Sequence, residues 1–399
     1  MICNIFNMEI IIVRYFSIVV LTFLSIKSYV LSLTASDKII SYGYPLEIYQ
    51  AKTEDDALLG IERIPHGKQF NGTIGRPVIL MDPFVTSSLV YVINNVSIAF
   101  SLADAGFDVW MPNYRGMGLS KHVKDPKTGK VRKLSQMNWN FSIHDLGIYD
   151  FPTSIDFVLN HTNYSKVDVL GVSLGPTIIL IGLAEKPEYN KKIRNNIMIA
   201  PAAKLSNVMH YKIYEKYVLF PLAIKILERF NYLVPVPDTD NNILGYFCKS
   251  IFYRHLCVIT MNYIQGSNTP LDYKVVADFE RTFPQPASSK YYIHLLQLLI
   301  SGRFQNFDYG PVGNMKHYNS KTAPEYNLKK VTAPSIIIYS KNDAATVPLD
   351  VKWLLDNMPN VKDSYFIKNS SFSHQGLIVG KKVHTVVYPY IIKKLKEDD

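Results

Sequence analysis

From about residue 75 onward the chain alternates short apolar runs with longer stretches of helical period. The runs are RPVILM (76–81), GFDVWMPN (106–113), KVDVLGV (166–172), IRNNIMIAP (193–201), PSIIIYS (334–340) and DSYFIKN (363–369). Each is close to continuously apolar and rich in β-branched residues, which suits strands covered on both faces. With helical segments between them, the pattern predicts an α/β protein with a mainly parallel central sheet and helices on both faces. The series breaks between about residues 204 and 330. That interval is rich in Tyr, Phe and Leu and carries helical patches such as YVLFPLAIKILERFNYLV (217–234), so it is expected to be a mostly helical insertion over the sheet. A second core domain is the other reading of the same composition.

The N-terminus has a different character. After Arg14 come twelve residues without a charge, YFSIVVLTFLSI, closed by Lys27 and followed by small-residue sites near Ser32 and Ala35. That is the length of a signal-peptide core and short for a membrane span, so residues 1–35 are expected to be a signal peptide, an uncleaved anchor being the alternative. Asn71, Asn95, Asn140, Asn160, Asn163 and Asn369 each open an N-x-S/T sequon and are glycosylation candidates on that route, secreted or lysosomal. Cys3 falls in the expected signal, which leaves Cys248 and Cys257, nine residues apart, as the pair for a local disulfide; two free buried thiols are the other state.

Composition narrows the field further. Of 399 residues, 48% are hydrophobic and 19% charged, a globular balance that excludes disorder. The net charge is +10, but the basic residues are scattered, with local clusters at Lys121 to Lys133 and Lys393 to Lys396. No aromatic-basic motif accompanies them, so they read as a solvated surface and nucleic acid is not an expected partner.

The chemistry centres on VDVLGVSLGPTIIL (167–180). Its GVSLG fits G-x-S-x-G directly after an expected strand and before an expected helix, where a nucleophile elbow has mechanical meaning. The turn is sharp and helix passes close to strand, so Gly171 and Gly175 leave room that a β-carbon would fill. A serine hydroxyl becomes a nucleophile only when a base takes its proton, so Ser173 requires a histidine and an acid farther along. Asp343 follows a strand run in SKNDAATVPLD, and His374 follows another in SSFSHQG. The rivals are weaker: Asp350 suits a helix N-cap, and His384 lies in the helical pattern KKVHTVVYPYIIKKL. The triad Ser173, Asp343 and His374 is the expectation.

Longer stretches make a specific resemblance. DKIISYGYPLEIYQAKTEDDALLGIERIPHGK (37–68), LADAGFDVWMPNYRGMGLSKHV (102–123), WNFSIHDLGIYDFPTSIDFVL (139–159), SGRFQNFDYG (301–310) and HYNSKTAPEYNLKKVTAPS (317–335) are similar to the acid lipase family, the gastric and lysosomal lipases with their insect relatives. The resemblance covers almost the whole chain after the signal, and the spacing of Cys248 and Cys257 is also the family's. It implies an α/β-hydrolase fold, with core segments 36–203 and 331–399 and a helical cap and lid at 204–330. It further implies cleavage of triacylglycerols or steryl esters without a metal or organic cofactor. Lipid ester and a transient lipid interface are the implied partners, and the oligomeric state is left open. The family's serine, aspartate and histidine fall on Ser173, Asp343 and His374.

The departures lie beside the nucleophile. Val172 and Leu174 stand where the family has His and Gln, and Asp82, Pro83 and Phe84 stand where it has His, Gly and Leu. The backbone N–H groups of Phe84 and Leu174 are the expected oxyanion-hole donors. Pro83, locked near φ of about −65°, replaces a residue free to take positive φ. Asp82 brings a carboxylate whose charge would oppose an oxyanion unless it points away or pairs with a cation. Two further readings therefore stand beside a lipase: a diverged relative that binds lipid with little turnover, and an esterase for smaller esters.

Overall fold

The structure, a computed structural model, describes residues 33–397 apart from residues 71, 126–127, 132–133, 209–214, 234–265, 267–268 and 281–282. Residues 1–32 of the expected signal segment, Asn71, Cys248 and Cys257 lie outside the described residues. Among the described residues no helix is long and apolar enough to cross a membrane.

Eight strands form one sheet. They are β1 (Glu47–Lys52), β2 (Leu58–Ile64), β3 (Pro77–Met81), β4 (Asp108–Pro112), β5 (Val167–Val172), β6 (Ile193–Ile199), β7 (Ser335–Ser340) and β8 (Val361–Ile367), in the spatial order β1-β2-β4-β3-β5-β6-β7-β8. β3 to β8 run parallel to one another, while β2 pairs antiparallel with both β4 and β1. All six apolar runs therefore became strands, and the central ones are buried along their whole length. The edge strands β1 and β8 alternate between exposed and partly buried positions, as a strand with one wet face should.

β1 and β2 were absent from the sequence reading. β2, LLGIERI, is entirely buried although it carries Glu62 and Arg63, which break its apolar run. Arg63 is satisfied by Asp108 at the start of β4, through Nε and Nη2 at 2.8 and 3.0 Å. A strand whose charges are neutralised by a neighbouring strand has no local hydrophobic signature.

Helices cover both faces, and each face has its own apolar core. One contains Ile79, Trp110, Phe151, Ile178 and Ile337; the other contains Val78, Phe100, Leu170, Ile197 and Ile336. Successive residues of one strand thus enter opposite cores, which is the period-2 geometry of a doubly covered sheet.

The chain leaves the sheet after Ile199 and returns to a neighbouring strand at Ser335, so the interval between them is inserted at one point of the sheet. Its described helices include α1 (Phe220–Leu227), α2 (Tyr273–Glu280) and α3 (Ser289–Ser301). Asp350, expected to cap a helix, is not the N-cap of Pro348–Asn357; Val347 is. The Asp350 carboxylate instead accepts from the backbone N–H and Nδ2 of Asn207 at 2.9 and 2.6 Å, fastening the insertion to the sheet side.

Candidate active site

Strand β5 ends at Val172, and a helix, α4 (Leu174–Glu185), begins two residues later. Ser173 makes the whole turn, with φ 58° and ψ −105°, a region that a residue with a side chain occupies only under constraint. The constraint is visible on both sides: the Ser173 N–H donates to the carbonyl of Ile199, and the Ser173 carbonyl accepts from the N–H of Ala202. The flanking glycines are required by space. A Cβ on Gly171 would lie 2.7 Å from the nitrogen of Pro176, and one on Gly175 would lie 2.5 Å from the carbonyl oxygen of Met81.

Three side chains from three loops meet at this turn. His374 Nε2 lies 2.8 Å from Ser173 Oγ, and His374 Nδ1 lies 2.8 Å from Asp343 Oδ2. Asp343 is 0% exposed, His374 7% and Ser173 8%, so the acid is sealed from solvent while the imidazole and the hydroxyl are only slightly open to it. The Asp343 carboxylate is held by its own loop. Its Oδ1 accepts from the N–H groups of Ala345 and Thr346 at 2.9 and 2.7 Å, and its Oδ2 accepts from Thr346 Oγ1 at 2.7 Å. An acceptor fixed by several donors is oriented toward the imidazole before any reaction begins. His384 lies away from this turn, in the C-terminal helix Val383–Lys396.

The sequence reading did not find the groups that hold these loops. Thr346 stands three residues after Asp343, the spacing of a side-chain turn, and that local signal was available. Thr269 had no such signal. Its Oγ1 donates to Ser373 Oγ at 2.6 Å and accepts from the Ser373 N–H at 2.8 Å, so a residue of the insertion clamps the neighbour of His374. On the acid side, a Cβ on Gly266 would lie 2.1 Å from the carbonyl oxygen of Asn342, so backbone of the insertion presses on the Asp343 loop as well.

The loop after β3 carries Phe84, the first expected oxyanion donor. Positive φ falls not at Pro83 but at Val85, φ 37°, a β-branched residue for which that conformation is strained. The insertion over-determines this loop. The Gln285 N–H donates to the Val85 carbonyl at 2.8 Å, and the Gly118 N–H donates to Gln285 Oε1 at 3.1 Å. The Phe84 ring lies among Phe283, Tyr291 and Tyr292, with centroids 5.9 to 6.2 Å away. Leu174 is the first residue of α4, where a helix has no internal acceptor for its N–H groups and its dipole favours a developing negative charge.

Beneath this loop lie two buried acids. Glu62 accepts from Asn113 Nδ2 at 2.7 Å, Ser88 Oγ at 3.0 Å and Ser36 Oγ at 3.4 Å. Burial pushes its carboxyl up to about 7 against those three hydrogen bonds. Asp82 is 0% exposed, and neither of its oxygens has a hydrogen-bond partner. Burial, with Glu62 adding to it, raises its carboxyl well above the usual carboxylate range. Among the described residues no cluster of His, Cys, Asp and Glu could hold a metal ion.

Comparison with known proteins places this arrangement. The alpha/beta hydrolase fold family matches residues 77–374, and the partial alpha/beta-hydrolase lipase region matches residues 35–95. Lipase 3 of Drosophila melanogaster is 32% identical over 374 residues, which cover 90% of this chain and 92% of that protein. Gastric triacylglycerol lipase of Rattus norvegicus is 31% identical over 382 residues, 92% of each chain. A solved soluble variant of monoglyceride lipase from Saccharomyces cerevisiae, in complex with a substrate analog, shares the fold with a TM-score of 0.53 at 15% identity, covering 89% of this chain and 97% of its own. The chain belongs to the α/β-hydrolase fold family and, within it, to the acid lipases.

Proposed function

We propose that the protein is a serine lipase that hydrolyses triacylglycerols or steryl esters through an acyl-enzyme on Ser173. The observation that carries this reading is the unbroken hydrogen-bonded chain from Ser173 through His374 to Asp343 at a strained elbow. His374 takes the proton of Ser173 as Oγ attacks the ester carbonyl, and Asp343 holds the imidazole in the tautomer that can accept it. The N–H groups of Phe84 and Leu174 receive the oxyanion. His374 then protonates the departing alcohol, and water releases the fatty acid by the same base.

The named activity of the rat relative supports triacylglycerol as substrate, and the same reading takes residues 204–330, inserted at one point of the sheet, as cap and lid. Leu222, Ile226 and Phe230 at and beyond α1 are exposed apolar side chains, which favours transient contact with a lipid surface. Export through the signal segment at residues 1–35, to the extracellular space or the lysosome, belongs to the same reading. Asn95, Asn140, Asn160, Asn163 and Asn369 are exposed, as glycan acceptors must be, and Cys248 with Cys257 is proposed as a disulfide.

The test is hydrolysis of triolein, cholesteryl oleate and a short-chain ester by the purified protein beside Ser173→Ala, with labelling of Ser173 by a serine-directed phosphonate. Loss of both labelling and hydrolysis in the variant is expected. A folded wild-type protein that the phosphonate does not label would return the assignment to a lipid binder, and turnover confined to the short-chain ester would return it to an esterase.

A further inference from the structure

Asp82 follows Met81, the last residue of β3, and immediately precedes the loop that carries Phe84. The backbone at this point touches the elbow: a Cβ on Gly175 would lie 2.5 Å from the Met81 carbonyl oxygen and 3.2 Å from that of Asp82. Asp82 thus stands two residues before Phe84, and its backbone packs against Gly175, the residue after Leu174. The ionisable groups that face Asp82 are Glu62 on β2, Tyr91 on the short 3₁₀ turn Ser88–Tyr91, Tyr114 just after β4 and Tyr291 on α3. None of the four is a cation.

None of these neighbours donates a hydrogen bond to Asp82. The Tyr91 hydroxyl donates to the Met81 carbonyl at 2.5 Å, and the Tyr291 hydroxyl accepts from the Val85 N–H at 3.4 Å. The Tyr114 hydroxyl makes no hydrogen bond to Asp82. Glu62 has three donors and Asp82 has none, so of two neighbouring buried carboxyl groups it is Glu62 whose charge is better supported. An ionised carboxylate buried without donor or counter-ion is among the most costly arrangements in a protein interior.

Resting on the lipase reading for its catalytic half, we infer that Asp82 is an uncharged carboxylic acid in the folded protein, a positioning residue that keeps the oxyanion hole usable and limits it on the alkaline side. The negative charge expected from the sequence is absent while the proton stays. When Asp82 gives that proton to solvent at higher pH, a carboxylate appears beneath the loop of Phe84, repels the oxyanion and disfavours the strained loop conformation. At effective protein dielectric a unit charge within about 10 Å of the oxyanion slows the step by about tenfold or more. The direction of the Asp82 shift, upward by burial and by Glu62, agrees with the donor count.

Two measurements test this. In the first, kcat and KM for a soluble short-chain ester are followed from acid to alkaline pH in the wild type and in Asp82→Asn, whose side chain is close in shape and cannot ionise. The expected result is a variant-to-wild-type kcat ratio that climbs about tenfold or more toward the alkaline end with little change in the KM ratio. A ratio flat across pH overturns the proposal. In the second, the infrared carbonyl band of a protonated carboxyl group is sought at neutral pH in wild-type protein labelled with ¹³C in its aspartate side chains. An isotope-shifted acid band that disappears in Asp82→Asn is expected; no such band in the labelled wild type overturns the proposal even where the variant does not fold. If neither phosphonate labelling nor ester turnover occurs at any pH, the lipase reading fails, and the infrared band still decides the state of Asp82.

Discussion

His374 Nε2 lies 2.8 Å from Ser173 Oγ across 201 positions of sequence, and the link continues on its far side to a carboxylate that is 0% exposed. Such a chain works as a unit. Replacing any one member should abolish most of the rate, with the residue left over supplied by substrate binding and the oxyanion donors. Ser173→Ala and His374→Ala should each lower kcat by about 10⁴-fold or more, and the double variant should be little worse than either one. Additive losses in steady-state kinetics would show that the two residues act separately.

Thr346 gives Asp343 one hydroxyl hydrogen bond and one backbone hydrogen bond, and its Oγ1 lies 3.5 Å from His374 Nδ1. A hydrogen bond to a charged group is worth about 1.5–3 kcal/mol, so Thr346→Val should reduce kcat by about tenfold to a hundredfold. KM should hardly change, because the bond supports the base and not the substrate. Thr346→Ser, which keeps the hydroxyl, should recover most of the rate.

Thr269 reaches His374 only through Ser373, and it comes from the insertion. Thr269→Val removes a donor and an acceptor from a buried pair, each worth about 1 kcal/mol. A several-fold fall in kcat, recovered by Thr269→Ser, is expected in rate measurements on a soluble ester. An unchanged kcat with a lowered melting temperature would mean that the clamp serves stability alone.

Gly175→Ala would place a methyl group 2.5 Å from the Met81 carbonyl oxygen, a backbone atom that cannot rotate away. Overpacking of this kind costs about 1–3 kcal/mol, and here the strain would enter the elbow and the Asp82 loop together. Thermal melting should register the loss, and phosphonate labelling of Ser173 should slow in the same variant.

The stability of the fold should also report Glu62. Its carboxyl ordinarily titrates at 4.5 and is pushed up to about 7 in the folded protein. The native state therefore holds a proton that the unfolded state has released across that interval. Stability contributed by the neutral form is full below 4.5 and is lost as pH rises toward 7. The fully buried side chain makes the loss about 3 kcal/mol by linkage. Glu47, Asp55 and Asp363, whose carboxyls are drawn down by their hydrogen bonds and ion pairs, slope the other way, so the informative quantity is a difference. The denaturation free energy of Glu62→Gln relative to the wild type should rise between pH 4.5 and 7; a parallel pair of curves would place Glu62 outside this balance.

The central sheet could be read from sequence because strands covered on both faces must be apolar throughout, and runs such as PVILM and VDVLGV have no other use for so much hydrocarbon. The strained turn was legible for a related reason: a turn this tight excludes β-carbons, so Gly171 and Gly175 mark the place of Ser173 by what they lack. The order of Asp343 and His374 behind two later strands added the remaining pair of residues. What the chain alone could not disclose is wherever a side chain's condition depends on a partner far away. β2 was hidden because Arg63 is neutralised by Asp108 on another strand. Thr269 was hidden because its partner is Ser373, more than a hundred positions on. Asp82 reads as a charge in sequence, since an isolated aspartate ionises in water. Only the packed structure removes the water, withholds every donor and sets Glu62 beside it, and electrostatics in a dry interior then decides its state.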